Sequence, residues 1–189
     1  MSSHHIVREK QEPALLVLGL DNFSDELLGQ LLEWSPTVIV TEPMAEKLNA
    51  YGIKIDWIIT DSGEEDIQSD VKQLPLKQGS VISTAFDFLT GSNYSAVNVV
   101  TDDLQLPDYL PFLDKINLVI FYNHQKIYTI TSGFSKWKPA GEFIELLNQP
   151  DNLQLSGLET VKDRLFKTAA DGLFVIRFDG PFLFIAEDI

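Results

Sequence analysis

The chain has 189 residues, of which 44% are hydrophobic, and a formal net charge of −14. This length is enough for one large domain or two small ones with a buried core. The absence of cysteine excludes disulfide bonds, thiol nucleophiles and cysteine metal ligands, and it fits a reducing compartment. The negative charge disfavours nucleic acid and anionic membrane surfaces as partners, although such a charge commonly serves only to keep a protein soluble.

The start of the chain is polar and lacks the apolar region of a secretory signal. No apolar run elsewhere reaches the ~20 residues that a membrane-spanning helix needs. We therefore expect a soluble, cytoplasmic protein with no membrane partner. Residues 1–12 fit no predicted element, and we assign them no role.

The first two-thirds of the chain alternates short apolar runs with helical patterns. Ser24 is a favoured N-cap residue, and the leucines that follow it predict a half-buried helix as far as Trp34. A second helix is predicted over residues 43–51, closed by Gly52. Runs of consecutive apolar residues that alternate with helices indicate a parallel sheet covered on both faces. We predict an α/β domain with a doubly wound, mainly parallel sheet over residues 1–121. Its six predicted strands lie at residues 15–18, 38–40, 57–59, 81–82, 97–100 and 118–121.

Residues 122–189 have a different pattern, rich in β-formers and without a predicted helix after Phe112. The sequence Asp179-Gly180-Pro181 predicts a β-hairpin, because glycine supplies a positive φ and proline starts the outgoing strand. We predict a small antiparallel β-sandwich of five or six strands. The strand-like runs lie at residues 126–131, 142–147, 153–155, 173–178 and 182–185.

Three of the predicted parallel strands end in a threonine followed by an acid. These are Thr41-Glu42, Thr60-Asp61 and Thr101-Asp102-Asp103. Ligands of open α/β sheets bind beyond the carboxyl ends of the strands, and hard cations such as Mg²⁺ prefer oxygen ligands. We predict that the four acids line a ligand crevice. Threonine and aspartate are also favoured helix N-caps, so each pair taken alone is better explained as a cap or a turn, and only the three pairs together make the ligand crevice an equal alternative.

The segment that follows the Thr60-Asp61 strand end is rich in acids. Residues 61–66 contain four acids, of which Asp61, Glu64 and Asp66 are candidate metal ligands. The alternative is a solvated loop. The sequence has no GxSxG, P-loop or HExxH motif, and Gly19-Leu20-Asp21 is too short to be a Rossmann fingerprint.

A resemblance to a known family begins at residues 52–61, which read G-I-K-I-D-W-I-I-T-D. This resembles the thiamine pyrophosphokinase segment G-I-x-P-D-x-I-x-G-D-F-D-S. Residues 141–147, 155–158 and 180–185 are similar to that family's G-E/D-x-V-S-L-L, x-L-x-G-L and G-x-L-L-V-I runs. The shared order of the motifs extends over most of the chain.

The resemblance implies a parallel α/β catalytic-type domain followed by a thiamine-binding β-sandwich, in a homodimer. It also implies Mg²⁺-assisted, ATP-dependent transfer of a pyrophosphoryl group to the hydroxyl of thiamine. Asp61 matches the first Asp of the family motif and is the candidate catalytic residue. In a divergent working enzyme, Glu42, Asp102 and Asp103 would serve as substitute nucleotide ligands, and Asp61, Glu64 and Asp66 would hold the metal.

The sequence departs from the family at the sites of chemistry. The second Asp of G-D-F-D-S is Gly63 here, and its final Ser is Glu64. The D-G-G-A, K-D-x-T-D, G-G-R-x-D-H and S-N-E elements are replaced at residues 41–44, 77–81, 101–105 and 168–171. Neighbouring acids can hardly replace binding elements lost at so many places, because Mg²⁺ needs near-octahedral oxygen geometry from fixed positions.

Three interpretations remain open at this point. The chain is a divergent thiamine pyrophosphokinase with weak activity, a non-catalytic relative that binds a small molecule or a partner, or an unrelated α/β protein. The departures favour weak or lost activity, because a fold survives changes that remove its chemistry.

Overall fold

The computed structural model describes residues 12–61, 71–76 and 80–189. The chain divides into two compact units, Met1–Leu118 and Val119–Ile189, and the assignment of domains to residues 1–121 and 122–189 stays a prediction. No helix in the described ranges is long and apolar enough to cross a membrane.

The first unit contains a sheet of five parallel strands. In space their order is β5-β1-β2-β3-β4, and every neighbouring pair is parallel. The chain moves outward from β1 to β4 and then returns to place β5 on the other side of β1. The topological switch point, where α/β sheets bind ligands, therefore lies between β1 and β5. The strands are β1 (Ala14–Val17), β2 (Val38–Thr41), β3 (Trp57–Thr60), β4 (Lys72–Pro75) and β5 (Ala96–Val100).

The helices of this unit begin where the sequence places good N-terminal residues. Ser24 caps the first helix as predicted, since its Oγ accepts a hydrogen bond from the Leu27 N–H (3.2 Å). Pro43 lies in the first turn of the second helix, where its missing N–H is not needed. The helices are α1 (Asp25–Leu32), α2 (Glu42–Ala50), α3 (Val81–Gly91) and α4 (Leu106–Tyr109), and a 3₁₀ turn follows at Leu110–Phe112.

The predicted fourth strand at residues 81–82 is wrong. Those residues begin α3, whose N-cap Ser80 accepts a hydrogen bond from the Ser83 N–H (3.2 Å). The fourth strand is β4, which reads K-Q-L-P and has no buried residue. Within the part of the chain that the structure describes, it pairs with β3 alone and forms the sheet edge, where an apolar sequence is not required.

The sixth predicted strand is β6 (Asn117–Tyr122). It forms an antiparallel hairpin with β7 (Gln125–Ile130), in which Val119 lies opposite Tyr128. The two turn residues, Asn123 and His124, both have positive φ (49° and 63°). Two-residue hairpin turns of the type I′ class require this conformation.

Residues 117–189, which the structure describes throughout, form nine strands rather than the predicted five or six. Six of them form an antiparallel arrangement in the order β6-β7-β14-β9-β12-β11, and three form a separate antiparallel sheet, β10-β13-β8. The sequence analysis predicted no strand at β8, β11 or β12, which are only four or five residues long and mix apolar residues with Ser, Thr, Glu and Lys. The strands not yet given are β8 (Phe134–Lys138), β9 (Phe143–Leu146), β10 (Asp151–Ser156), β11 (Leu158–Lys162), β12 (Leu165–Thr168), β13 (Gly172–Asp179) and β14 (Leu183–Asp188).

One hydrophobic core serves both antiparallel sheets of the second unit. Ile144 and Leu146 enter it from β9, and Phe174 and Ile176 enter it from β13. The predicted hairpin at residues 179–181 is wrong, because β13 and β14 lie in different sheets and do not pair. A helix-bearing parallel sheet and a separate antiparallel sheet agree with the predicted class, whereas the terms doubly wound and β-sandwich stay predictions.

Candidate functional site

Asp102 links the carboxyl ends of β5 and β1. Its Oδ2 accepts a hydrogen bond from the Asp21 N–H (2.9 Å), and its Oδ1 accepts one from the Asn22 N–H (3.2 Å). Both donors belong to the loop that follows β1, some 80 residues earlier in the chain. The carboxylate therefore spans the switch point and is bound by protein groups.

Gly19 makes this close approach possible. A Cβ atom at Gly19 would lie 2.2 Å from Asp102 Oδ2 and 2.6 Å from the backbone nitrogen of Asp102. Neither distance is compatible with a side chain, so the position requires glycine. The Leu18 and Gly19 N–H groups both donate to the Val100 carbonyl (2.8 and 3.3 Å), which fixes the two strand ends together.

Lys47, on α2, brings a positive charge to the same loop. Its Nζ lies 2.6 Å from Asp21 Oδ1. The hydrogen bond to Asp21 raises the pKa of the Lys47 ammonium above its ordinary value, and the charges of Asp21 and Asp102 act in the same direction. Both partners are exposed to solvent, so the pair adds little to stability.

Thr101 and Asp103 form a local turn. Thr101 Oγ1 donates to the Asp103 carbonyl (2.8 Å) and accepts from the Asp103 N–H (3.1 Å). The Asp103 carboxylate accepts from Gln105 Nε2 (2.9 Å). At the end of β5, the Thr-acid sequence therefore forms a turn, which is the alternative that the sequence offered to a ligand site.

A second contact joins the ends of β2 and β3. The buried Thr60 hydroxyl donates to Glu42 Oε1 at the start of α2. Thr41 occupies the N-cap position of α2 but makes no side-chain capping bond. Asp61 is exposed and directly follows β3, whereas Glu64 and Asp66 lie outside the described residues.

A cavity of about 360 Å³ lies away from these strand ends, beside residues that precede β2 and β3. Its lining includes Pro36, Thr37 and Asp56. Asp56 Oδ2 accepts a hydrogen bond from the Val38 N–H (2.9 Å) and so joins the starts of the two strands. The role of Asp56 that this contact supports is structural.

Several solved structures share the fold of this chain. A protein from Lactobacillus plantarum has a TM-score of 0.69 at 11% identity, over 94% of this chain and 98% of that chain. The thiamine pyrophosphokinase of Bacillus subtilis has a TM-score of 0.62 at 11% identity, over 93% and 98%. That of Candida albicans has a TM-score of 0.65 at 11% identity, over 94% and 90%.

The chain has the thiamine pyrophosphokinase fold. The resemblance predicted from residues 52–61 and from the tail is thereby confirmed for the fold. The sequence itself matches no family model and no curated protein. Identity this low carries the fold and not the activity.

A working thiamine pyrophosphokinase would need sites for Mg²⁺ and for ATP. Within residues 12–61, 71–76 and 80–189, no three Asp, Glu or His side chains are grouped so that they could hold a metal ion. The two N–H groups beyond β1 that suit an anion already bind Asp102. The described residues fit neither group, and we derive no reaction step through them.

The sequence analysis missed four residues of this site, namely Gly19, Asp21, Asn22 and Lys47. One signal was available for Gly19, because a glycine directly after a buried strand often marks a close approach of another backbone. The ion pair between Asp21 and Lys47 carries no comparable signal, since it depends on how β1 and α2 are placed in space.

Proposed function

We propose that this chain is a thiamine pyrophosphokinase-like protein with weak or no pyrophosphoryl transfer, which binds thiamine or a related small molecule at the strand-end crevice of its first unit. The observation that carries the proposal is the engagement of Asp102. Its two carboxylate oxygens accept from Asp21 and Asn22, so they do not face a ligand. Glu42 is likewise hydrogen-bonded to Thr60.

The local charge supports weak transfer. Enzymes of this chemistry work mainly by positioning phosphates and neutralising their charge. Around the β1 and β5 ends, Asp21, Asp102 and Asp103 carry three negative charges, and Lys47 offsets one of them. A polyphosphate entering this region without a metal ion meets repulsion, and the net charge of −14 adds to it.

The alternative is a working, divergent enzyme that uses Mg²⁺ and ATP. The observation in its favour is the position of Asp61, which is exposed directly after β3 and matches the first Asp of G-D-F-D-S. In that case Asp61 acts with Glu64 and Asp66 on the metal, and Glu42, Asp102 and Asp103 contact the nucleotide.

A homodimer is part of the proposal. Trp137 on β8 and Leu173 on β13 lie directly opposite each other on the three-stranded sheet. They are 59% and 65% exposed, which is unusual for two adjacent large apolar side chains. Aromatic residues of this kind are enriched in protein interfaces. Analytical ultracentrifugation of the wild type and of Trp137→Lys tests this part, because the substitution should shift a dimer towards monomer.

The deciding experiment is calorimetric titration of the full chain with thiamine and, separately, with Mg·ATP, followed by an assay for thiamine diphosphate. We expect heat with thiamine, little or none with Mg·ATP, and little or no product. Robust product formation that Asp61→Asn abolishes establishes the enzyme instead. Glu33→Gln, which removes an exposed acid at the end of α1, is the matched control and should change nothing. No heat with thiamine contradicts the proposed ligand.

A further inference from the structure

The loop after β1 presents two consecutive backbone N–H groups to one oxyanion. The Asp21 and Asn22 N–H groups point at the same carboxylate and bind one oxygen each (2.9 and 3.2 Å). Successive backbone N–H groups that converge in this way form an anion-binding concavity. The anion held in it is the side chain of Asp102.

The concavity lies where this class of fold places its ligands. It is formed by the ends of β1 and β5, at the switch point of the parallel sheet. Gly19 forms its floor, and a Cβ there would lie 2.2 Å from Asp102 Oδ2, so the carboxylate rests directly on the backbone. A ligand oxyanion would need this same space and these same donors.

We propose that the Asp102 carboxylate competes with ligand oxyanions for the anion-binding concavity formed by Gly19 and the N–H groups of Asp21 and Asn22. This concavity is called the cradle below. Phosphate and pyrophosphate groups are excluded while the carboxylate remains there. The inference rests on the proposed use of the strand-end crevice, and it supplies a physical reason for weak pyrophosphoryl transfer. A hydrogen bond to a charged group is stronger than a neutral one, so the internal carboxylate holds its place against dilute anions.

Replacing Asp102 has two effects that a control must separate. It empties the cradle, and it removes one negative charge from an acidic region. Asp103→Asn removes the same charge one residue away but leaves the cradle filled, because the Asp103 carboxylate accepts from Gln105 (2.9 Å) and not from the loop after β1. The ion pair between Lys47 and Asp21 includes neither Asp102 nor Asp103, so we expect it to persist in both variants.

The test is titration of the wild type, Asp102→Ala and Asp103→Asn with inorganic pyrophosphate in the absence of metal, followed by calorimetry and by ¹⁵N–¹H NMR. We expect Asp102→Ala to bind pyrophosphate at least about tenfold more tightly than the wild type, the order of effect of regaining one charged hydrogen bond. Asp103→Asn removes the same charge but leaves the cradle filled, so its affinity for pyrophosphate should rise much less than that of Asp102→Ala. The amide protons of Asp21 and Asn22 should move upfield in Asp102→Ala and move back as pyrophosphate is added.

Any of three results overturns the inference. The wild type binds pyrophosphate as tightly as Asp102→Ala does, or Asp103→Asn gains as much affinity for pyrophosphate as Asp102→Ala. In the third, the amide signals of Asp21 and Asn22 in Asp102→Ala do not shift when pyrophosphate is added. If Asp102→Ala does not fold, Asp102→Asn replaces it, because the amide keeps one acceptor oxygen and the shape of the side chain. It should still bind pyrophosphate more tightly than Asp103→Asn, and equal affinity for the two variants also overturns the inference.

This inference and the proposed function can fail separately. A wild type that binds no thiamine, with an Asp102→Ala variant that takes up pyrophosphate at the Asp21 and Asn22 amides, contradicts the proposed function alone. A wild type that binds thiamine, with an Asp102→Ala variant that ignores pyrophosphate, contradicts the inference alone.

Discussion

The Tyr128 hydroxyl donates a hydrogen bond to Glu187 Oε1 (2.7 Å) in the interior of the second unit. Lys136 Nζ lies 2.6 Å from the other carboxylate oxygen, and Lys138 Nζ lies 3.4 Å from it. The Glu187 side chain is only 5% exposed. A buried carboxylate is tolerated when charged partners and hydrogen bonds surround it, as they do here.

Glu187→Gln should lower the free energy of unfolding by about 2 kcal/mol, because it leaves the ammonium groups of Lys136 and Lys138 without their buried counter-charge. This expected loss of unfolding free energy is smaller than for a fully buried ion pair, because Lys136 is 37% exposed. Urea titration measures the change. Glu159→Gln is the control, because Glu159 pairs with Lys167 (3.3 Å) at the surface and should change stability by less than about 0.5 kcal/mol. Equal effects of the two substitutions contradict this account.

The contribution of Glu187 should depend on pH in one direction. Burial alone would raise the pKa of Glu187, but hydrogen bonds from Lys136 and Tyr128 and the charges of Lys136 and Lys138 together hold it below its ordinary value of 4.5. A carboxyl whose pKa is lowered by folding stabilises the protein above its unfolded pKa and loses that effect as pH falls through its folded pKa. The difference in unfolding free energy between wild type and Glu187→Gln should therefore be full at pH 7 and shrink below about pH 4.5. A difference that grows towards low pH would reverse the sign.

Gly19→Ala should destabilise the first unit by about 1–3 kcal/mol, the usual range for overpacking. The added Cβ meets the backbone nitrogen of Asp102 at 2.6 Å, and a backbone atom cannot swing aside. Gly29→Ala is the matched control, since Gly29 lies in α1 and a Cβ there meets nothing within 4 Å. That substitution should stabilise the protein by roughly 0.5–1 kcal/mol. Thermal denaturation of both variants checks the contrast, and a neutral Gly19→Ala would refute the close approach.

Tyr109→Phe should leave stability unchanged or raise it by up to about 1 kcal/mol. The Tyr109 hydroxyl is fully buried and has no hydrogen-bond partner among the described residues. Its burial therefore costs desolvation free energy that no hydrogen bond offsets, and Phe avoids that cost. Tyr94→Phe should instead destabilise by about 1 kcal/mol, because the Tyr94 hydroxyl is hydrogen-bonded to Thr37 Oγ1 (2.8 Å). Chemical denaturation compares them, and a loss of stability in Tyr109→Phe as large as in Tyr94→Phe would show that its hydroxyl is satisfied.

Local sequence signals predicted the elements whose structure is local. Ser24 and the leucines after it indicated α1, and the apolar runs of β1, β2, β3 and β5 indicated buried parallel strands. The polar strand β4 was missed, because an edge strand needs little apolar surface, and its absence led to a false strand at the start of α3. The turn at residues 179–181 was recognised as a turn, but nothing local shows that the chain changes sheets there.

The candidate site was predictable in its place but not in its contacts. The threonine–acid pairs marked the carboxyl edge of the sheet, and Asp102 does lie at the switch point. Its partners Asp21 and Asn22 are some 80 residues away in the chain, so no spacing rule connects them. The sequence alone does not distinguish an aspartate whose carboxylate binds a ligand from one whose carboxylate binds the protein backbone.

The strand β14 lies between β7 and β9, although residues 183–188 are synthesised after both of them. Until those residues leave the ribosome, β7 and β9 each expose a strand edge that has no partner within the finished arrangement. The second unit therefore gains its central pairing late, and its assembly waits for contacts between residues far apart in sequence, a situation that slows folding. Unpaired strand edges can pair with another chain, so the second unit is most open to edge-to-edge aggregation before β14 takes its place between β7 and β9.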